Sequence, residues 1–405
     1  MRILHTSDWH LGQHFIGRNR ASEHQAFLRW LVEQARQQTL DAIIVAGDIF
    51  DTATPPSYAR ELYNQFIVDL HQSGCQLVIL GGNHDAPAVL NESKNLLQCL
   101  NTTVIADISD DLGEQLLVLH NKEKQPAALL CAIPFLRARD LLQSQAGQSG
   151  SDKQRDLQQA ITLHYQQLFD LAQQYNQQHQ LQLPIVMTGH LTTLGVSQSE
   201  SVRDVYIGSL EAFSAAAFPK ADYIALGHIH QSQQLNADTD IRYSGSPLPL
   251  SFDEAKQQKQ AWLLEFSTAG KRVTSLPIPC FQPLCSLRCN LAQLQTKLQQ
   301  ACANLTEGQT LWLELVITEN DAYLTDLQQR VEPLLHDWPV ELLRLRRQRS
   351  NTANLLSTET QQSLAELTPQ QVWQARLSSE SLTDEQVQQL TALYLQVQAS
   401  VEQSA

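Results

Sequence analysis

The sequence predicts an α/β fold with two packed sheets flanked by helices. Five apolar runs (residues 3–10, 42–48, 77–85, 185–190 and 223–230) each close on Gly, Asp, His or Asn. Such a run, bounded by a turn residue, has the pattern of a buried strand. Between the runs lie stretches with apolar residues at three- and four-residue spacing, the pattern of amphipathic helices. Strands that alternate with crossover helices build α/β architectures.

Taken in order, residues 1–280 carry this alternation. Residues 24–37 and 57–72 read as helices, and 152–179 as a longer helix after the loop-like segment 144–151. Residues 127–135, 242–252, 261–266 and 272–278 add strands. Pro277, Pro279 and Pro283 punctuate the end of this region, since proline interrupts both kinds of element. A small α+β pattern then restarts over 281–349: strands at 284–289, 310–318 and 340–346, helices at 291–303 and 324–335. Residues 350–360 read as a polar linker, followed by short helices at 364–377 and 384–401. Thr383 is a fitting N-cap for the second, with Gln386 at the third helical position. Two short helices bury little surface alone, so this tail suits docking on a partner.

Composition limits the function classes. The chain has 405 residues, 42% hydrophobic and 17% charged, enough for two or three domains with a large core. No basic-then-apolar leader pattern and no apolar stretch of the roughly 20 residues that span a bilayer is read, so a cytoplasmic protein without a membrane partner is expected. The seven cysteines are scattered and odd in number, which suits a reducing compartment. Cys280, Cys285, Cys289 and Cys302 lack the paired spacing of a zinc knuckle and read as free thiols. The net charge of −14 argues against a generally basic, nucleic-acid-coating surface, but not against a local basic patch or a cation site.

The strand ends carry the chemistry. In α/β sheets, ligand groups gather beyond the carboxyl ends of the strands. Here those ends deliver Asp8, His10, Asp48, Asn83, His190, His228 and His230. Asp8 with His10, and His228 with His230, stand two residues apart, so on a strand both members of a pair would point the same way. Glycines before Asp48, His190 and His228 would let the backbone turn and approach closely. An all N/O donor set without thiolate suits six-coordinate Mn²⁺, Fe²⁺ or Mg²⁺ better than tetrahedral zinc. Seven donors exceed what one ion with open positions can use. Two divalent ions sharing Asp48 is the economical arrangement, and ions about 3.5–4 Å apart are suited to phosphoryl chemistry. His84 is left over. It would face substrate and donate a proton to the leaving oxygen or stabilise the transition state, with Asp85 holding its ring.

Asp8-x-His10, Gly47-Asp48, Gly82-Asn83-His84-Asp85, Gly189-His190 and Gly227-His228-x-His230 resemble, in order, the motif set of the calcineurin-like metallophosphoesterases. Ser7 to Gly12, Ala46 to Asp51 and Tyr243-Ser244-Gly245-Ser246-Pro247 resemble more narrowly the nuclease subunits of bacterial double-strand-break repair complexes. The resemblance spans nearly the whole chain and is weakest after residue 350. It implies a four-layer α/β/β/α sandwich over 1–280, a DNA-contacting cap domain over 281–349 and a partner-binding tail over 350–405. It also implies a Mn²⁺-dependent nuclease: a 3′→5′ exonuclease on duplex and an endonuclease on single strands and hairpins. The implied partners are DNA and a long coiled-coil ATPase, with a homodimer inside a heterotetramer near the nucleoid. By the same resemblance one ion would take Asp8, His10, Asp48 and His230, and the other Asp48, Asn83, His190 and His228.

DNA contact by an acidic chain would need local positive charge. Arg344, Arg346, Arg347 and Arg349 form one candidate cluster, Arg137 and Arg139 another. The competing reading is a calcineurin-like phosphatase acting on a phosphoester outside nucleic acid, because one fold hosts several functions.

Overall fold

In the computed structural model, residues 1–142, 149–199, 201, 212–235, 240–348, 373, 377, 386 and 388–394 are described. The chain divides into two compact units. One comprises Met1–Leu287, Gln300–Glu314 and Trp338–Arg344; the other comprises Arg288–Gln299, Leu315–Asp337 and the described residues from Leu345 onward.

The first unit holds two six-stranded sheets. In one, Arg2–Thr6, Ala42–Ala46, Gln76–Leu80 and Thr102–Ile105 run parallel, and Gln260–Ser267 and Gly270–Pro277 extend it antiparallel. In the other, Pro126–Cys131, Ile185–His190, Tyr223–Gly227 and Ile241–Tyr243 run parallel, with Leu116–His120 and Gln233–Gln234 antiparallel at the edges. The two-residue period of each strand divides its side chains between two apolar clusters. Ile3, Ala42, Ile44, Val78 and Leu80 join Leu130, Val186, Tyr223 and Ala225 of the second sheet in one cluster. Leu4, Ile43, Val45, Leu77 and Ile79 point the other way, onto Phe27 and Leu31 of the helix Ala21–Gln37 and Phe66 and Ile67 of the helix Ser57–His71. The far face of the second sheet is covered by Leu157, Ile161, Tyr165, Leu168 and Ala172, whose spacing of three and four forms one stripe of the helix Gly150–Gln178. Burying both faces of each sheet is what makes the strand runs continuously apolar.

The expected elements appear with shifted ends. The expected strand over 242–252 is Ile241–Tyr243 alone. Gly245 then turns at φ +77°, and Pro247 and Pro249 offer no N–H to a ladder, so the chain leaves the sheet and enters the 3₁₀ turn Phe252–Glu254. The strand over 127–135 stops at Cys131, because the Ile133 N–H goes to the Thr188 hydroxyl, 2.6 Å away. Strands Thr102–Ile105 and Leu116–His120 and the hairpin His14–Phe15/Arg18–Asn19 have no counterpart among the expected elements.

Leu284–Cys289, Leu311–Ile317 and Val340–Arg347 are the strands of a three-stranded sheet. Its helices are Leu291–Cys302, which buries Leu294 and Leu298, and Leu327–Leu335, which buries Val331 and Leu335. The second helix begins three residues later than the spacing suggests, after the 3₁₀ turn Glu319–Tyr323. The linker expected over 350–360, the Thr383 cap and most of the two tail helices lie outside the described residues. Of the tail, Trp373 and Tyr394 stack with ring centroids 4.7 Å apart. Among the described residues, no helix is long and apolar enough to cross a membrane.

Candidate metal centre

Five parallel strands, three from one sheet and two from the other, end at the same place. Apart from His190, the last residue of its strand, the donors emerge from turns just past those ends, and several of these turns are strained. Asp8 (φ 54°), His10 (φ 46°), Asp48 (φ 52°) and His228 (φ 96°) all adopt left-handed backbone, which side chains other than glycine rarely take. This corrects the expectation that Asp8 and His10 align through strand alternation. The strand stops at Thr6, and left-handed turns aim both side chains. The close-approach role of the glycines holds. A methyl group at Gly47 would stand 2.2 Å from His190 Nδ1, and one at Gly227 1.9 Å from the Ala46 carbonyl oxygen.

Three groups of donors gather within 4.8 Å of one another: Asp8, His10 and His230; His10, Asp48 and His84; Asp48, His190 and His228. Asn83 completes the last. Its Oδ1 lies 2.9 Å from His190 Nε2 and 3.1 Å from His228 Nδ1, and Asp48 Oδ2 lies 3.2 Å from His190 Nε2. On the other side, His10 Nε2 is 3.7 Å from Asp48 Oδ2. Apart from Asn83 and His84, which are half-buried, all these side chains are buried. No group contains a cysteine, and all seven thiols are free.

The hydrogen bonds show that this arrangement fits a cation. His190 Nδ1 lies 2.9 Å from the Ala46 carbonyl, which can only accept, so Nδ1 carries the proton. The Nε2 lone pair of the neutral ring then faces two oxygen acceptors at 2.9 and 3.2 Å. Three lone-pair donors at such spacing repel unless a proton or a metal ion lies between them. Edges of about 3 Å are what octahedral ligation at about 2.1 Å produces. His10 Nε2 and His228 Nε2 are buried without a hydrogen-bond partner. Without an ion, the electrostatics of the pocket favour a proton on His190 in the place a metal ion would take. Burial alone would lower His190, yet the Asp48 carboxylate raises it to about 9. Burial would likewise raise Asp48, but His190 and His10 hold it well below the usual range. Burial and the neighbouring His190 push His228 well down, leaving a neutral ring with one lone pair to offer.

His84 stands beside the donors, its ring 4.8 Å from that of His10. Its N–H donates to Asp48 Oδ1 at 2.9 Å, and its Nδ1 lies 2.7 Å from the Asp51 carbonyl, which fixes the ring tautomer. Asp85 therefore does not hold the His84 ring as expected. Its carboxylate accepts from the backbone N–H groups of Ile49, Phe50 and Gly82 at 3.1, 2.9 and 2.9 Å, and braces the loop that carries Asn83 and His84. Burial and the nearby Asp48 raise Asp85 to about 6 in spite of those donors.

Several further residues in the site have no role assigned to them from the sequence. Asp51 Oδ1 lies 3.3 Å from His10 Nδ1. Ser7 donates to Asp8 and lies 2.7 Å from the Ser244 hydroxyl. Ser201, Glu254 and Lys259 surround His230. Asp51, Ser7 and Ser244 lie within the segments that carry the resemblance, whereas Ser201, Glu254 and Lys259 have no such signal. His14, just beyond the first motif, bonds locally to the Gly12 carbonyl. The basic groups are partly committed elsewhere. The Arg137 guanidinium donates to the Asp85 carbonyl at 3.1 Å, and Arg344 pairs with Glu314 at 2.5 Å. Arg139, Arg346 and Arg347 are exposed, and Arg349 lies outside the described residues.

A family model described as calcineurin-like phosphoesterase matches residues 1–232, and one described as Type 5 capsule protein repressor C-terminal domain matches 280–381. The D subunit of nuclease SbcCD from Escherichia coli (strain K12) is 47% identical over 395 residues, covering 97% of each chain. The protein of that name from Rhodobacter capsulatus is 31% identical over 400 residues, covering 93% of this chain and 94% of its own. That of Bacillus subtilis is 31% identical over 268 residues, 65% of this chain and 66% of its own.

Proposed function

On the premise that this chain belongs to the calcineurin-like phosphoesterase family, alongside the SbcCD nuclease D subunits, we propose that it is the DNA-cleaving subunit of an SbcC–SbcD-type complex. The reaction is metal-dependent hydrolysis of a phosphodiester. The observation that supports this reading is the convergence of His190 Nε2, Asn83 Oδ1 and Asp48 Oδ2, an arrangement that needs a proton or a metal ion between them and has the edge lengths of a metal site.

One divalent ion, Mn²⁺ before Mg²⁺ or Fe²⁺, is held by Asp8, His10, Asp48 and His230. A second is held by Asp48, Asn83, His190 and His228. When bound, the pair supplies Lewis acidity, making a water nucleophilic and offsetting the charge that grows on the phosphate. The rest of the work falls to the chain. Asp48 is shared, so its low proton affinity keeps both oxygens available. His84, with Nδ1 committed to the Asp51 carbonyl, presents Nε2 as the atom that carries a proton to the leaving oxygen. Asp85 keeps that loop in register through three backbone N–H groups. The cleavage products are those of a 3′→5′ exonuclease on duplex ends and an endonuclease on single strands and hairpins.

Residues 281–349 form the cap that meets DNA, with Arg346 and Arg347 as exposed phosphate contacts. Residues 350–405 form the linker and the helices that bind a coiled-coil ATPase of the SbcC type. The working assembly is a heterotetramer built on a homodimer of this chain, in the cytoplasm beside the nucleoid.

The test is cleavage of a linear duplex, a hairpin and a phosphomonoester with Mn²⁺, with and without the ATPase. Mn²⁺-dependent DNA cleavage, with ATP-driven action on duplex ends and hairpins when the ATPase is added, is expected. Rapid monoester hydrolysis with intact DNA would overturn the reading in favour of a phosphatase.

A further inference from the structure

The segment Ser244-Gly245-Ser246-Pro247 and the turn after it have no part in the chemistry above, yet they surround His230. Glu254 and Lys259 are both buried and pair at 2.6 Å. A buried ion pair of this kind is weak evidence for stability, because desolvating both charges offsets their attraction. Several of its hydrogen bonds lead to His230. Lys259 Nζ donates to the His230 carbonyl and to the Ser246 hydroxyl, each at 3.0 Å. The Ser246 N–H donates to the same carbonyl at 3.1 Å. Glu254 Oε2 also accepts the Leu250 N–H at 3.0 Å, so the carboxylate is fixed to its own turn.

The ring of His230 is held through a hydroxyl. Ser201 Oγ lies 2.5 Å from Glu254 Oε1 and 2.6 Å from His230 Nδ1, whereas Nδ1 and Oε1 are 3.7 Å apart, too far to bond directly. Serine has one proton to donate, and a carboxylate can only accept. The Ser201 proton therefore points to Glu254, and Ser201 Oγ accepts from His230. Nδ1 must then carry the ring proton, which leaves the lone pair on Nε2. That ring belongs to the donor group with Asp8 and His10, 5.1 Å from the His10 ring.

We propose that Ser201, Glu254 and Lys259 are positioning residues for His230, fixing its tautomer and backbone so that Nε2 is presented to one of the two ions. The inference rests on the two-ion reading. It concerns only the ion held by Asp8, His10 and His230. Of the other ion's two histidines, His190 takes its orientation from a backbone carbonyl.

The test is a Mn²⁺ titration of the full chain, followed by calorimetry and by the electron paramagnetic resonance of free Mn²⁺. Wild type should bind two ions. Ser201→Ala should bind one with unchanged affinity and the other about 10- to 100-fold more weakly, as expected when the partner of a ligating histidine is removed. Ser201→Thr should restore the weakened ion, which a merely structural defect would not allow. Removing the ion pair together in Glu254→Gln/Lys259→Met should weaken the same ion; should that variant fail to fold, the serine pair still decides. Two ions bound by Ser201→Ala with wild-type affinity, or both weakened equally, would overturn the inference. Failure of wild type to bind Mn²⁺ would instead remove the two-ion reading, and the inference with it.

Discussion

His190 and His230 are buried imidazoles of one centre, held by different means. His190 donates Nδ1–H to the Ala46 carbonyl, a backbone atom inside a parallel strand. His230 depends on a serine, a glutamate and a lysine contributed by loops. A backbone acceptor survives any substitution at its own residue, whereas a side-chain relay can be broken at each of its members. The two sides of the site should therefore differ in how easily they are lost, and each of the following experiments presses on that difference.

The largest effect should come from Asp48, the donor proposed to serve both sides. Asp48→Ala should abolish binding of both ions and lower DNA cleavage by about a thousandfold or more, the scale of losing preorganised charge at a reacting phosphate. Retention of one tightly bound ion would show that the sides do not share it. His84→Gln should retain both ions and DNA binding while lowering single-turnover cleavage by about 10²–10⁴-fold. Loss of an ion in that variant would make His84 a ligand instead.

Gly47→Ala is the mirror of Ser201→Ala. Its methyl group would stand 2.2 Å from His190 Nδ1, in backbone with φ +91°. The ion beside His190 should weaken and the His230 side should persist, with a stability loss of about 1–3 kcal/mol from overpacking. Chemical denaturation together with Mn²⁺ titration would check both.

A smaller effect concerns pH. In ion-free protein, His190 is raised from 6.5 to about 9. The stability this gives is complete below pH 6.5 and disappears as pH rises through about 9. Melting of chelator-treated protein should therefore fall across that window, while the Mn²⁺-loaded protein should not show this loss. A rising melting point for the chelated protein would contradict the protonated His190. The smallest effect is at the surface. Arg347→Ala should reduce the salt slope of DNA binding by about one and leave Mn²⁺ affinity unchanged.

The strands and the donors are legible in the sequence, because a strand buried on both faces is continuously apolar and ends abruptly. The runs over 42–48 and 185–190 show this directly, and every donor read there reaches the centre. How the donors converge is not legible. Strand alternation is the natural reading of Asp8 and His10, and only backbone angles reveal the left-handed turns. Asp85 departs from expectation for a related reason. Adjacency to His84 suggests a side-chain partner, while the carboxylate turns back to collect three N–H groups. Glu254 and Lys259 give no signal, because a charged pair in a loop reads as solvated surface until its burial is known.

The apolar layer between the two sheets includes five alanines: Ala42, Ala46, Ala128, Ala132 and Ala225. Past its end, Gly227 and the Ala46 carbonyl approach so closely that no methyl group fits between them. The spacing of the sheets is thus the gauge that sets the span between Asp8 and Asp48 on one side and His190 and His228 on the other. Enlarging one of those alanines would widen the span like a shim under a vice jaw, detuning the centre from within the core without altering any residue that touches it.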